Sequence, residues 1–213
     1  MTPDTFQIRT CLSCGLRYPM TNESTFGMRC PVCLGETELS VRVNTDLKTN
    51  LTSIRSTESR RRVSVLLDNI RSAWNVGSIF RSADGFGFAH VYLCGITPTP
   101  ENEAVTKTSL GAENYVSWSY HKDAVQLVGA LKKEGGKVWA LEEHERAVHL
   151  SKHVDADSTN PVILIVGNEV TGVDPGLIEL SERIFFIPMR GEKTSFNVAI
   201  AFGIASYQLT GLS

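Results

Sequence analysis

FFIPMRGEKTSFNVAIAFGI, Phe185 to Ile204, decides how the whole chain is read. An apolar run of strand length breaks at Ile187-Pro188 into a short polar loop containing Gly191, and the chain then enters a segment that is apolar on every side. Phe196, Val198, Ala199, Ile200, Ala201, Phe202, Ile204 and Ala205 surround the axis of that segment, which predicts a buried helix starting near Thr194-Ser195. The unpaired N–H groups of its first turn then face the strand end that precedes them. Working back toward the N-terminus, strand-like runs alternate with helical stretches. They are VSVLL, a helix near 75–86, HVYLC, an irregular segment, YVSWSY, a helix near 122–134, KVWAL, PVILIVG, a short helix after Pro175 and RIFFI. Strands alternating with helices predict an α/β fold with a parallel sheet covered on both faces. Ligands of such sheets bind in the loops at the carboxyl ends of the strands.

The chain has 213 residues, enough for one ordinary domain and a small appendage. No apolar run is long enough for a transmembrane helix, and MTPDTFQIRT has neither the basic start nor the apolar region of a secretory signal. The expectation is a cytoplasmic protein with no membrane partner. Net charge is −2, yet residues 1–62 hold nine Lys and Arg against six Asp and Glu, so nucleic-acid phosphates would be felt first in that third.

Four of the five cysteines stand as Cys11-Leu-Ser-Cys14 and Cys30-Pro-Val-Cys33. The spacing is that of a four-thiolate zinc site, closed and therefore structural. Without a secretory signal, two disulfides or four free thiols are the weaker alternatives. Residues 1–44 are read as a zinc-ribbon-like module, 45–62 as a polar linker ending in Arg60, Arg61 and Arg62, and 63–213 as the α/β domain. The three arginines suit a phosphate contact or a solvated linker, and Cys94, ending HVYLC, reads as a core thiol.

Three segments carry polar residues where the pattern demands explanation. In DNIRSAWNVGSIFRSADGFG, Asp68 to Gly87, an apolar stripe of Val76, Ile79, Phe80 and Ala83 leaves Arg81 on the opposite face, free for a ligand or for water. Asn75 stands where an N-cap would. In PVILIVGNEVTGVDPGLIEL, Pro161 to Leu180, Gly167 at a strand end permits close backbone approach, and Glu169 suits either ribose hydroxyls or the protein itself. In the opening stretch, Ser195 suits an N-cap, while Asn197 in the first turn of a buried helix asks for a partner. Gly85-Phe-Gly87 follows a helix and lacks a third glycine, so no dinucleotide fingerprint is present, and no phosphate-binding GxxxxGK[ST] occurs.

Taken together, these segments resemble the SPOUT methyltransferase superfamily, in its SpoU/TrmH branch of RNA ribose 2′-O-methyltransferases. The first family motif is similar to Asn75-Val-Gly77-Ser-Ile-Phe-Arg81, the second to Gly167-Asn-Glu169-Val-Thr-Gly172, and the third to Ile187-Pro-Met189-Arg-Gly191 with Ser195-Phe196-Asn197-Val. SLGAENYV, Ser109 to Val116, is similar to a stretch common between the first two. Phe196 departs from the usual Leu and Ala199 from a frequent Ser. The resemblance spans about Val63 to Leu212 and implies a C-terminal trefoil knot, S-adenosylmethionine as cofactor, a tRNA or rRNA substrate, and a homodimer that completes the site. It assigns cofactor contacts to Gly167, Glu169, Ile187, Met189, Ser195, Phe196 and Asn197, and catalysis to Asn75, Arg81, Glu169, Ser195 and Asn197. A non-catalytic RNA-binding protein with the same fold and a methyltransferase acting on a base are the alternatives. The four-cysteine module is not the usual extension of this branch, and docking RNA or a structural role both suit it.

Overall fold

A computed structural model of the chain describes residues 5–21, 28–44, 63–150 and 160–210. The 45–62 linker, with Arg60, Arg61 and Arg62, lies outside the described residues. Those described fall into two compact units, one N-terminal and one beginning at Val63.

The N-terminal unit is an antiparallel ribbon of β1 (Thr5–Cys11), β2 (Arg17–Thr21) and β3 (Thr37–Asn44) in the order β2-β1-β3. It is too small for much of an apolar core. Its buried polar group, Arg9, is satisfied by Thr37 and Gln7: Nε donates to Thr37 Oγ1 at 2.8 Å, Nη2 to the Thr37 carbonyl at 2.7 Å, and Nη1 to Gln7 Oε1 at 3.1 Å.

The second unit runs β4 (Val63–Asp68), α1 (Ala73–Gly85), β5 (His90–Cys94), α2 (Glu103–Ser109), β6 (Ser117–His121), α3 (Ala124–Lys133), β7 (Lys137–Leu141), β8 (Val148–His149), β9 (Val162–Val166), α4 (Pro175–Leu180), β10 (Arg183–Phe186) and α5 (Val198–Leu209). Among the described residues the sheet has the order β6-β5-β4-β9-β7-β10-β8, with every pairing parallel. β4 and β9 are buried along their whole length because both faces are covered. Val65, Leu67, Leu164 and Val166 face the layer that holds Ile79, Phe80 and Phe202, whereas Leu66, Ile163 and Ile165 face Val128, Leu177 and Ile178. Period-two alternation thus sends one strand into two cores. Cys94 belongs to the second core, as expected, and burial beside Asp68 and Asp123 pushes its thiol up to about 12.

The parallel α/β sheet read from the sequence is the observed one, with differences at its edges. The irregular segment after HVYLC contains α2 and a short 3-10 turn, Ala112–Asn114. YVSWSY enters the sheet only from Ser117. The final helix is less buried than its composition predicts. Phe202, Ala205, Ser206 and Leu209 are buried, but Ile200 is 56% and Tyr207 46% exposed. A helix that is apolar all round needs cover on all sides, and within one chain α5 finds it on the side of α1 and the sheet. Close packing of α1 on α2 depends on Gly77, where a Cβ would meet the Val105 carbonyl at 2.4 Å.

Candidate functional site

Three adjacent strands of the sheet, β9, β7 and β10, end at one cavity of about 830 Å³. Its walls come from Leu141-Glu142-Glu143, from Gly167 to Gly172, and from the loop between β10 and α5. Gly167, Glu169, Ile187, Met189, Ser195, Phe196 and Asn197 all line it, so seven residues singled out in the sequence meet in one place.

The loop after β9 is built on its glycines. Asn168 and Gly172 exchange backbone hydrogen bonds, the Asn168 N–H to the Gly172 carbonyl at 3.0 Å and the reverse at 2.9 Å. Asn168 Oδ1 accepts from the N–H groups of Val170 and Thr171, and its Nδ2 donates to the Asn69 carbonyl at 2.6 Å. A Cβ on Gly167 would stand 2.3 Å from Gly172 C and Val173 N. Beneath the loop, Asp68 Oδ2 accepts the Asp174 N–H at 2.8 Å, and burial pushes its carboxyl up despite that bond.

Glu169 reaches out of this loop to α1. Oε2 accepts the Arg71 N–H at 2.8 Å, and Oε1 accepts the Ser72 N–H at 3.1 Å and Asn75 Nδ2 at 2.9 Å. Asn75 Oδ1 in turn accepts from Asn197 Nδ2 at 3.0 Å, and Asn197 Oδ1 accepts from the Ala199 and Ile200 N–H groups that open α5. The chain of donors has one direction. Asn197 must show its oxygen to the helix, so its amide nitrogen meets the Asn75 oxygen, and the Asn75 nitrogen then needs an acceptor, which Glu169 supplies. Burial alone would raise the Glu169 pKa, but the Arg71 N–H and the Asn75 amide outweigh it and hold the carboxyl below its ordinary value.

These bonds revise both helix starts. Asn75 is not the N-cap of α1. Ser72 is, accepting the Asn75 N–H, while the Asn75 side chain inside the first turn goes to Glu169 and Asn197. Nor does α5 begin at Thr194-Ser195: Asn197 caps it, leaving Ser195 exposed in the cavity wall. Arg81 sits on the exposed side of α1, outside the cavity, and among the described residues no hydrogen bond or ion pair engages it.

A depressed carboxyl pKa fixes the sign of a pH effect. The bonds to Glu169 contribute fully above the unfolded-state pKa, about 4.3, and are lost only as pH falls through the lower folded value. The Asn75 and Asn197 side-chain amide resonances are therefore expected to hold their positions from neutrality down to about pH 5 and to shift only in stronger acid. Glu169→Gln is expected to disturb them at every pH, because its amide turns an NH2 toward N–H donors. Water reaches this exposed turn, so the cost stays near 1 kcal/mol, or roughly fivefold in the affinity of whatever binds the cavity.

In the N-terminal unit, Cys11, Cys14, Cys30 and Cys33 bring their sulfurs within 4.8 Å of one another. Two knuckles of the same form achieve this: the Gly15 N–H bonds the Cys11 carbonyl and the Leu34 N–H the Cys30 carbonyl, with Gly15 and Leu34 both at positive φ. Cys11 and Cys33 lie 3.5 Å apart and Cys14 and Cys30 3.7 Å. Zinc–sulfur bonds of about 2.3 Å in a tetrahedron put sulfurs about 3.8 Å apart, so the set fits structural zinc. The Cys14 N–H brings the Cys11 thiol down to about 6 against its burial. Cys33, against the Gly35 N–H, is pushed up to about 12 by the Cys11 and Cys14 sulfurs, because a thiol beside a thiolate keeps its proton. Elemental analysis of the full chain is expected to give about one zinc per molecule, and Cys30→Ala to abolish it.

The sequence matches the SpoU rRNA Methylase family over residues 62–207. The chain belongs to that family. Among curated SpoU-family relatives, it is 30% identical over 146 residues to the tRNA (guanosine(18)-2′-O)-methyltransferase of Aquifex aeolicus, covering 68% of this chain and 66% of that one. It is 29% identical over 147 residues to the 23S rRNA (guanosine(2553)-2′-O)-methyltransferase of Bacillus subtilis, covering 69% and 57%. The chain thus spans just under two thirds of the first and less of the second. Of solved structures, the A. aeolicus TrmH/SpoU tRNA modifying enzyme superposes with a TM-score of 0.61 at 29% identity over 70% of this chain and 74% of that one. The AdoMet-bound rRNA methyltransferase from Sinorhizobium meliloti gives 0.65 at 26% identity over 71% and 56%. The SpoU-family match begins beyond the cysteine ribbon, so the ribbon's role rests on its own residues.

Glu142 and Glu143 line the cavity of this SpoU-family domain and were passed over in the sequence. The signal was there: two carboxylates directly follow KVWAL, at the end of a strand whose neighbours supply the other walls.

Proposed function

We propose that the chain is an S-adenosylmethionine-dependent RNA methyltransferase acting on a ribose 2′-hydroxyl of tRNA or rRNA. The observation that carries this reading is the Glu169–Asn75–Asn197 chain, which ties all three motif segments together at the rim of one cavity. The cavity volume of about 830 Å³ falls in the range of cofactor sites, roughly 300–1,000 Å³. Ile187, Met189 and Phe196 offer apolar wall to an adenosyl group, and the backbone of Gly167 and Gly191 offers polar contacts.

When bound, S-adenosylmethionine supplies a sulfonium methyl for in-line transfer to the ribose oxygen. The chain's residues divide the remaining work. Glu169, already accepting three donors, has little capacity left to take a proton and acts as a positioning residue for Asn75 and the α1 start. Ser195, exposed in the wall, is free to touch substrate or cofactor. The guanidinium of Arg81 offers hydrogen-bond donors and no acceptor, so its role is to hold the phosphate beside the target ribose and stabilise the developing alkoxide.

A homodimer follows from the same reading. Trp74 on α1 is 60% exposed, and with Ile200 and Tyr207 on α5 it leaves apolar surface that a second copy would cover. The second copy would also bring Arg81 to a cavity that its own chain does not give it. The family's C-terminal trefoil knot belongs to the same reading. Thiols clustered for metal rather than joined as disulfides support a reducing cytoplasmic setting, and among the described residues no helix is long and apolar enough to cross a membrane. The ribbon is assigned to docking RNA.

Incubating the full chain with methyl-labelled S-adenosylmethionine and bulk tRNA or rRNA tests the proposal. The expected product is label at nucleotides that resist alkaline cleavage, because a methylated 2′-oxygen cannot attack the adjacent phosphate. Label on a base, or none on any RNA, overturns it.

A further inference from the structure

The cavity wall carries negative charge that its one lysine does not balance. Glu142 is half-buried and lines it, and its carboxylate is held by backbone alone: Oε2 accepts the Val173 N–H at 2.9 Å and Oε1 the Glu143 N–H at 3.0 Å. Glu169 is likewise held by N–H groups and an amide. The ion pairs among the described residues, Lys107–Glu103 and Arg146–Glu179, involve neither. Glu143 and Glu192 add two more carboxylates to the lining and Lys193 one cation, leaving the wall strongly negative. Carboxylates locked by backbone donors cannot swing away from a ligand, so their field is preorganised. Such a cavity suits a cation.

We propose that Glu142 sets ligand specificity in this cavity, its fixed carboxylate favouring the cationic methyl donor over the neutral product, with Glu169 as the second anion. The inference rests on the methyltransferase reading and deepens it. In the transfer, the ribose 2′-oxygen bonds the methyl carbon and gives up its proton to solvent water, while the carbon–sulfur bond breaks and its electron pair returns to sulfur. A sulfonium thereby becomes a neutral thioether, and S-adenosylhomocysteine leaves a site that no longer attracts it. Product release is thus driven by the same charge that attracted the donor.

Calorimetric titration of the full chain with S-adenosylmethionine, S-adenosylhomocysteine and sinefungin, whose amine replaces the methylsulfonium, tests this directly. A unit charge facing a carboxylate in a partly wet site is worth roughly a factor of ten. The donor and sinefungin are therefore expected to bind about tenfold more tightly than S-adenosylhomocysteine. In Glu142→Gln, which keeps an acceptor for the Val173 N–H, that ratio is expected to fall severalfold toward one, whereas Glu145→Gln, outside the cavity, leaves it unchanged. Structural damage weakens all three ligands together and does not move the ratio. Equal binding of the three by the wild type overturns the inference, as does a ratio that survives Glu142→Gln. If the variant does not fold, equal binding of sinefungin and S-adenosylhomocysteine by the wild type still overturns the inference. Failure of the wild type to bind any of them instead overturns the methyltransferase reading itself.

Discussion

Replacing Arg81 with alanine is expected to lower methyl transfer about a hundred- to a thousandfold, the usual cost of losing one group that stabilises developing charge. Binding of S-adenosylmethionine should change by less than about twofold. The separation follows from where Arg81 stands: exposed on α1, away from the buried Val76, Gly77, Ile79, Phe80 and Ala83, outside the cavity and engaged by no partner among the described residues. Nothing in the fold or the cavity wall depends on it. Single-turnover transfer and equilibrium binding, measured side by side, check both halves. Arg81→Lys restores a charge without the planar fork and should recover only part of the rate. Turnover that survives Arg81→Ala refutes the assigned role, and cofactor binding lost with it would place Arg81 in the cavity wall instead.

Gly167→Ala is expected to act in the opposite place, weakening ligand binding in the cavity rather than transfer alone. The new Cβ would lie 2.3 Å from Gly172 C and Val173 N and 2.6 Å from the Gly172 carbonyl oxygen. These are backbone atoms, held by the paired hydrogen bonds of Asn168 and Gly172, so no flexible side chain is available to give way. The loop must open, and with it moves Glu169, whose carboxylate fixes the Arg71-Ser72 turn and Asn75. Overpacking against backbone costs about 3 kcal/mol, or about a hundredfold in affinity for the cavity's ligand. Titration measures it, and near-native affinity in the variant would show that the loop has room the wild-type contacts deny.

What the sequence made legible followed from strong local signals. β4, β7, β9 and β10 appear as short apolar runs because a strand covered on both faces has no reason to alternate. The cysteine spacing reported its own geometry. α2 was hidden because EAVTKTS buries little beyond Val105 and Ser109, too few positions to show a period. β8 is two residues long. At the start of α1, Ser72 and Asn75 are both good capping residues three apart, and local propensity cannot rank them. The contest is settled by Glu169, 94 residues further along the chain from Asn75. The exposure of Ile200 and Tyr207 was equally illegible, since composition reports what a helix would bury and not what its chain supplies.

The order of the strands has a kinetic consequence. β9 inserts between β4 and β7, and the bond from Asn168 to Asn69 closes a separation of 99 residues. During synthesis β4, β5 and β6 can pair as soon as they emerge, but the middle of the sheet stays open until β9 arrives, and a long loop must then be closed. The cavity, walled by the ends of β7 and β9 and by the loop after β10, belongs to the last stage of folding. Refolding is expected to be slow, and the ability to bind a ligand should appear after most of the helical signal has returned.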